Sequence, residues 1–522
     1  MSYLDNHHIA PAVTNIINPP AGGLESTQSR TDSISKAYVE HAEDVEKVSE
    51  VRDIDTKADH FGTNTEYSKE ERTLLRKLDW HIMPIVFCMY FMNKLDQNAI
   101  ANARLNSFEK DLGLTGNQFN ICVSVLYAGY TLIQANSLKH VDGDQEGSTL
   151  PLDVLLDDAN FQRPLIFRAW AIVSASTAAV HNFSGAFVVR FLLGFAEAPF
   201  YPGAIYMLSL FYTRREIATR ISILYSANIV ATACAGLISA ATFATLGGVH
   251  GLAGWRWLFI IVGVVTFGVS IIAIWLLPDH PLTTSWLSPE ERELAHFRME
   301  RDTVGLQESK GTLIGLKQAA ADPKLWLLTL LQTLHLAACG FNSFFPTVVK
   351  TLGYSTTITL VITCPPYLVA GAFSVALAWS SGRRNERSIH ITLGMLVALV
   401  GFIMAAASLN TAVRFISLFL FATGAYSANS IIIGWVAATC GQTPEKKAGA
   451  LSIMNCIAMA SFIYTPYLYP ASDSPRYLMA MSANAAFVTG VIICTWTMRF
   501  WLQQVNKKLK SGDATARLLY AY

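Results

Sequence analysis

Charge is scarce in this chain. Asp, Glu, Lys and Arg make up 15% of its 522 residues, against roughly 25% in soluble proteins, which argues against a soluble multidomain enzyme. The charges nearly cancel, 39 basic against 38 acidic for a net of +1, so no overall field recruits a polyanion and no nucleic acid is expected as a partner. Patterns that carry chemistry are missing too. No G-x-x-x-x-G-K-[ST] loop is present, which excludes ATP hydrolysis of that kind, and the only His-His pair, His7-His8, lies in a polar stretch. The eight cysteines (Cys88, Cys122, Cys234, Cys339, Cys364, Cys440, Cys456 and Cys494) stand singly in apolar surroundings. Without CxxC or Cys/His ligand spacing they read as small buried hydrophobes, not as disulfides or metal ligands. No metal, no cofactor and no enzyme activity are expected. The N-terminus shows no basic region followed by an apolar run, so no cleaved leader is expected.

What the chain has instead is oil in long runs: 52% hydrophobic residues and a mean hydropathy of +0.34. A helix crossing a bilayer needs about 20 mostly apolar residues. Runs of that length lie near 81–102, 117–138, 164–183, 185–210, 220–246, 255–277, 325–349, 357–380, 388–408, 413–437, 447–470 and 478–501. They predict an all-α integral membrane protein with twelve transmembrane helices. Trp80, Trp255, Trp257, Trp326 and Trp501 fall at the predicted ends, where indole rings favour the water–lipid boundary. The polar stretch 278–324 divides the spans into an N-terminal half, 79–277, and a C-terminal half, 325–501. Within it, Ser288-Pro289-Glu290-Glu291-Arg292 reads as a helix start with proline in the first turn. The polar tail 1–78 is expected to be disordered, and 502–522 forms a second tail.

Lys and Arg set the orientation. With the N-terminus in the cytoplasm, inner loops carry Arg214, Arg215 and Arg220, six more cations between 278 and 324, then Arg383, Arg384, Arg387, Lys446 and Lys447. Outer loops carry scattered ones such as Arg104, Lys110, Lys350 and Arg476. The positive-inside rule therefore places both termini in the cytoplasm.

An ionisable group inside a span costs about 2.5–3.5 kcal/mol on insertion scales and is a functional candidate by default. The first span contains Asn93-Lys94-Leu95-Asp96-Gln97-Asn98 toward its outer end. In the fourth, Arg190, Gly194 and Glu197 stand at i, i+4 and i+7, on one helical face. Gly194 permits close helix approach, and Pro199 and Pro202 predict a kink beyond it. A carboxylate that trades an arginine partner for a proton is a coupling switch, and this is the functional reading of Asp96 and Glu197. The structural alternative is that each charge only fixes packing against a neighbouring helix. Gln97, Asn98, Asn228, His335, Asn342, Asn429, Trp435 and Asn455 are weaker candidates for substrate contact, because a lone Asn in a span is commonly interhelical glue.

Two sets of six spans, the central cytoplasmic loop and the fourth-span motif resemble the major facilitator superfamily. The segments 102–105 (NARL), 109–120 (EKDLGLTGNQFN), 190–203 (RFLLGFAEAPFYPG), 212–216 (YTRRE), 254–259 (GWRWLF), 286–292 (WLSPEER) and 455–458 (NCIA) narrow the resemblance to the fungal allantoate permease-like group of the anion:cation symporters. That resemblance implies uptake of a small organic anion with protons across the plasma membrane, by a monomer. It assigns proton coupling to Asp96 and Glu197 and places Arg190 near the anion or beside Asp96. The family often has arginine directly after the first-span aspartate, where this chain has Gln97; one expected cation is missing, which shifts the expectation toward a monocarboxylate, zwitterion or neutral amide. A second departure is 135–163, where Asp142, Asp144, Glu146, Asp153, Asp157 and Asp158 face only Lys139 and Arg163. It reads as an atypical acidic insertion or an artefact of the gene model. Two other functions stay open: an efflux antiporter on the same fold, disfavoured because 225–236 contains no proline, and a non-transporting sensor or defective isoform.

Overall fold

The computed structural model describes residues 68–139, 159–278, 280–303, 312–512, 520 and 522. Expectations for the tail up to 67, the acidic stretch 140–158, and 304–311 and 513–519 lie outside the described residues.

Among the described residues every regular element is helical. The long helices are α1 (Lys69–Ala103), α2 (Gln118–Lys139), α3 (Ala159–Ser176), α4 (Phe183–Phe211), α5 (Arg214–Leu246), α6 (Gly254–Leu276), α7 (Pro323–Lys350), α8 (Thr356–Arg384), α9 (Ser388–Ala407), α10 (Thr411–Thr439), α11 (Glu445–Leu468) and α12 (Leu478–Gly512). Nine of them, α4 to α12, are long and apolar enough to cross a membrane. The others, α1 to α3, occupy the places of the first three predicted spans. Helix α1 is diluted by the polar run from Asn93 to Asn98 that builds the site below. Helix α3 starts at Ala159, five residues before Pro164, and gives way at Thr177 to a short 3₁₀ turn. Helix α4 breaks where the prolines predict, Phe183–Glu197 meeting Phe200–Phe211 across Ala198 and Pro199, because proline brings no N–H to the helix ladder.

Small residues set the packing. Helix α2 lies along α4, and a Cβ on Gly194 would strike the Leu126 carbonyl and stand 3.1 Å from the Tyr130 nitrogen. Gly129 meets the Phe191 carbonyl in the same way, at 2.6 Å. Without a hydrophobic force between helices in lipid, such close approach is the main source of association. Helices α3 and α6 pair similarly, as do α9 and α10, while α2 packs on α11 and α5 on α8. At the last contact Gly236 abuts the Leu360 carbonyl and the Thr363 hydroxyl.

The central-loop helix Pro289–Thr303 begins as its sequence predicts. The Ser288 hydroxyl accepts from the Glu291 N–H at 3.2 Å, and the Glu291 carboxylate accepts from the Ser288 N–H at 2.9 Å, a reciprocal cap. Three ion pairs bind this region: Lys77–Glu291 at 2.6 Å, Arg220–Asp79 at 2.7 Å and Arg298–Glu216 at 2.6 Å. Burial pushes the Glu291 carboxyl up, but Lys77 and the Ser288 N–H hold it below the usual carboxylate range. That contact therefore contributes above the unfolded-state value and is lost as pH falls through the folded one. Arg298 and Glu216 are each 2% exposed. Glu216→Gln, which leaves Arg298 buried without a counter-charge, is expected to destabilise the detergent-solubilised protein by about 3–5 kcal/mol, read as a lower melting temperature; an unchanged melting curve would contradict a role for the pair.

Two readings need correction. Trp255 does not sit at the lipid boundary: it is fully buried and donates from Nε1 to Asp111 Oδ2 at 2.7 Å, a partner the end-of-span rule does not see. Trp80 is 79% exposed. All eight cysteines are free, but Cys88 is exposed and Cys234 and Cys339 are only half-buried.

Candidate functional site

The break after Glu197 and the close α2–α4 packing hold Arg190 and Glu197 against α1, where the polar run faces them. Asp96 is completely buried, and its Oδ2 accepts from Trp170 Nε1 of α3 at 3.1 Å. The Ser174 side chain also lies beside this carboxylate. Arg190, 2% exposed, acts electrostatically on both Asp96 and Glu197, yet its Nε and Nη1 have no hydrogen-bond partner among the described residues. Glu197 accepts through Oε2 from Gln97 Nε2 at 2.7 Å and leaves Oε1 unpaired. Gln97 in turn accepts through Oε1 from Lys94 Nζ at 2.7 Å. Asn93 Oδ1 lies 3.4 Å from the same Gln97 nitrogen. Buried polar groups are normally satisfied, and three atoms on Arg190 and Glu197 left unpaired among the described residues mark a place built for something besides packing.

A second cluster lies nearer the predicted outer side. Asn342 Nδ2 of α7 donates to Asn98 Oδ1 of α1 at 2.9 Å, and Tyr367 OH donates to Asn342 Oδ1 at 2.6 Å. Asn98 Nδ2 reaches Thr232 Oγ1 at 3.2 Å. These residues line a narrow cavity with Gly236 and Thr363. Further out, the Arg104 guanidinium sits 4.4 Å from the Phe119 ring centre and 5.5 Å from that of Phe344, and pairs with Glu109 at 2.9 Å. Asn98 and Asn342 are thus committed to each other, closing α1 against α7. Asn342→Leu removes the bonds to Asn98 and Tyr367, about 1 kcal/mol net each, and is expected to raise labelling of a cysteine placed at Ala101, in a cysteine-free background, several-fold by an impermeant thiol reagent. Unchanged labelling would mean these bonds do not hold this side shut.

The third cluster is among the C-terminal helices. Gln332 Nε2 donates to Asn429 Oδ1 at 2.9 Å, and Asn429 Nδ2 donates to Tyr225 OH at 2.6 Å; Asn228 stands beside Tyr225. His335, 1% exposed, places Nε2 at 2.8 Å from the Ala425 carbonyl. That nitrogen therefore carries the proton, and Nδ1 is left as an acceptor without a partner, as is Gln332 Oε1. The remaining candidates stand apart. Trp435 is fully buried among the C-terminal helices, and Asn455 Nδ2 donates to Gln134 Oε1 at 3.3 Å, tying α11 to α2.

The structure adds residues that were not chosen from sequence. Lys94 stands in the polar run of α1, beside a carboxylate that carries the stronger sequence signal. Gln332 stands one turn before His335. Trp170, Tyr225 and Tyr367 carry no sequence signal, since aromatic residues in spans are mostly packing.

A family model described as Major Facilitator Superfamily matches residues 86–466. The chain is 30% identical to the major facilitator-type transporter hxnP of Emericella nidulans, over 87% of this chain and 90% of that one. It is 28% identical to the MFS-type transporter efuF of Hormonema carpetanum, over 84% and 86%. Among solved structures, a D-xylose–proton symporter superposes with a TM-score of 0.60 at 14% identity, covering 80% of this chain and 97% of that one. A bacterial homologue of the human lysosomal transporter Spinster, inward-facing and occupied, gives 0.59 at 16% identity, covering 85% and 99%. At such identities the structural likeness speaks to the fold alone.

Proposed function

The chain belongs to the Major Facilitator Superfamily, and from that premise we propose that it imports a small organic anion together with protons. It is a multi-pass membrane transporter, not an enzyme. In this reading twelve spans form two six-helix halves, 79–277 and 325–501, that rock about a central site and expose it alternately to either side. The observation that carries proton coupling is Glu197: a fully buried carboxylate, hydrogen-bonded through one oxygen to Gln97 and unpaired at the other. Taking a proton on Oε1 lets the carrier reorient without a bare charge at the barrier. Asp96, held by Trp170 and facing Arg190, is the second coupling group. Arg190, Gln332 and His335 supply unpaired buried donors and acceptors for the substrate.

The resemblance of 109–120, 190–203 and 286–292 to the allantoate permease-like symporters supports an organic acid or related nutrient, a plasma-membrane monomer and cytoplasmic termini. External pH in weakly buffered fungal cells expressing the chain tests the reading. Adding a transported carboxylate is expected to alkalinise the medium. Uptake without alkalinisation would contradict proton symport, and acidification would point to exchange in the opposite sense.

A further inference from the structure

We propose that Lys94 binds the carboxylate of the substrate and, through Gln97, links that binding to protonation of Glu197, so that the cargo is a monoanion carried with one proton. This rests on the importer reading above and adds to it a residue, a relay and a substrate charge.

The geometry begins at Gln97. Its carbonyl oxygen accepts from the Lys94 ammonium and its amide nitrogen donates to the Glu197 carboxylate, both at 2.7 Å. Only this orientation of the amide satisfies an ammonium on one side and a carboxylate on the other. Lys94 and Glu197 are therefore opposite ends of one polarised bridge, and what happens to the ammonium is felt at the carboxylate. The missing arginine at position 97 does not leave this wall without a cation, because Lys94 stands one turn earlier on the same helix. Among the described residues its ammonium has no carboxylate in direct contact; besides Gln97 it lies 5.5 Å from the Tyr90 ring centre. Arg190 is differently placed, its charge shared between Asp96 and Glu197. The groups that face Glu197 are Lys94 and Asp96 from α1, Tyr127 and Tyr130 from α2, and Arg190 on its own helix.

Charge counting then selects the cargo. The empty site holds Lys94 and Arg190 against Asp96 and Glu197 and sums to zero. A monoanion on Lys94 adds one negative charge; a proton moving from the outer water onto Glu197 Oε1 removes one, and the loaded site again sums to zero. Either form crosses without net charge. A dianion carried with the same single proton would leave one uncompensated charge in the membrane. A neutral solute would leave the Lys94–Gln97–Glu197 bridge intact and give Glu197 no reason to take a proton.

The test uses purified protein in proteoliposomes with lactate and benzoate as monoanions, succinate as dianion and benzamide as neutral solute. Monoanion uptake is expected with one proton per molecule and no dependence on membrane potential. Lys94→Gln is expected to raise KM at least tenfold with a smaller change in maximal rate, and Lys94→Arg to restore KM. Gln97→Leu is expected to abolish the dependence of KM on pH, which a merely structural role would not do. Benzoate is also expected to raise the melting temperature of the wild type and not of Lys94→Gln. Monoanion–proton uptake with an unchanged KM in Lys94→Gln overturns the role of Lys94 and leaves the importer reading standing. Protein-dependent uptake of lactate or benzoate without proton movement overturns the importer reading itself. Preference for succinate or benzamide, or no monoanion effect on either uptake or melting, overturns the monoanion assignment.

Discussion

Glu197→Gln is expected to abolish accumulation of substrate above its external concentration while leaving exchange of substrate across the membrane measurable. The amide has the size of the carboxylate and still accepts from Gln97, so packing and surface level are expected to persist. What it lacks is the exchangeable proton. With one proton per substrate, an inward gradient of two pH units supplies about 2.7 kcal/mol, or roughly a hundredfold accumulation. In the variant that ratio falls to about one and uptake loses its pH dependence, whereas counterflow of labelled against unlabelled substrate continues. Retained accumulation at equal surface level would remove Glu197 from the coupling.

The second large effect is expected at Gly194. A valine there drives its Cβ into the Leu126 carbonyl, and main-chain atoms of a packed helix cannot turn aside as a flexible side chain would. Ordinary overpacking costs about 1–3 kcal/mol; this contact is expected to exceed that, with little folded protein recovered and a broad, early melting transition. The lesion is also functional, because Gly194 lies between Arg190 and Glu197 and sets how close both come to α2. Gly203→Ala is the control: no atom lies within 4 Å of the Cβ it would add, and near-normal folding is expected. A stable, active Gly194→Val protein would show that α2 and α4 are not held as tightly as their backbone contacts imply.

Local physics made much of this legible beforehand. The break at Ala198 and Pro199 follows from proline chemistry, the shared face of Arg190, Gly194 and Glu197 from helical spacing, and the start of the central-loop helix at Pro289 from proline in its first turn. Positions that depend on which helices meet were not legible. Trp255 read as a boundary residue because nothing local points to Asp111, and Trp170 gave no hint that it would donate to Asp96. Asn98 and Asn342 looked like two independent polar residues until α1 met α7 and spent both in one bond. Gln97 read as the loss of a cation, since a sequence comparison by column does not register a lysine one helical turn away.

The most direct measurement is the number of protons that enter with each substrate molecule, in proteoliposomes holding the purified protein and an internal pH dye. Lactate or benzoate added outside, with no imposed gradient, is expected to acidify the lumen by one proton per molecule taken up, and Glu197→Gln to take up substrate by equilibration with no acidification. Uptake by the wild type with an unchanged internal pH, or an acidification that survives Glu197→Gln, would contradict the coupling that the Lys94–Gln97–Glu197 bridge is proposed to provide.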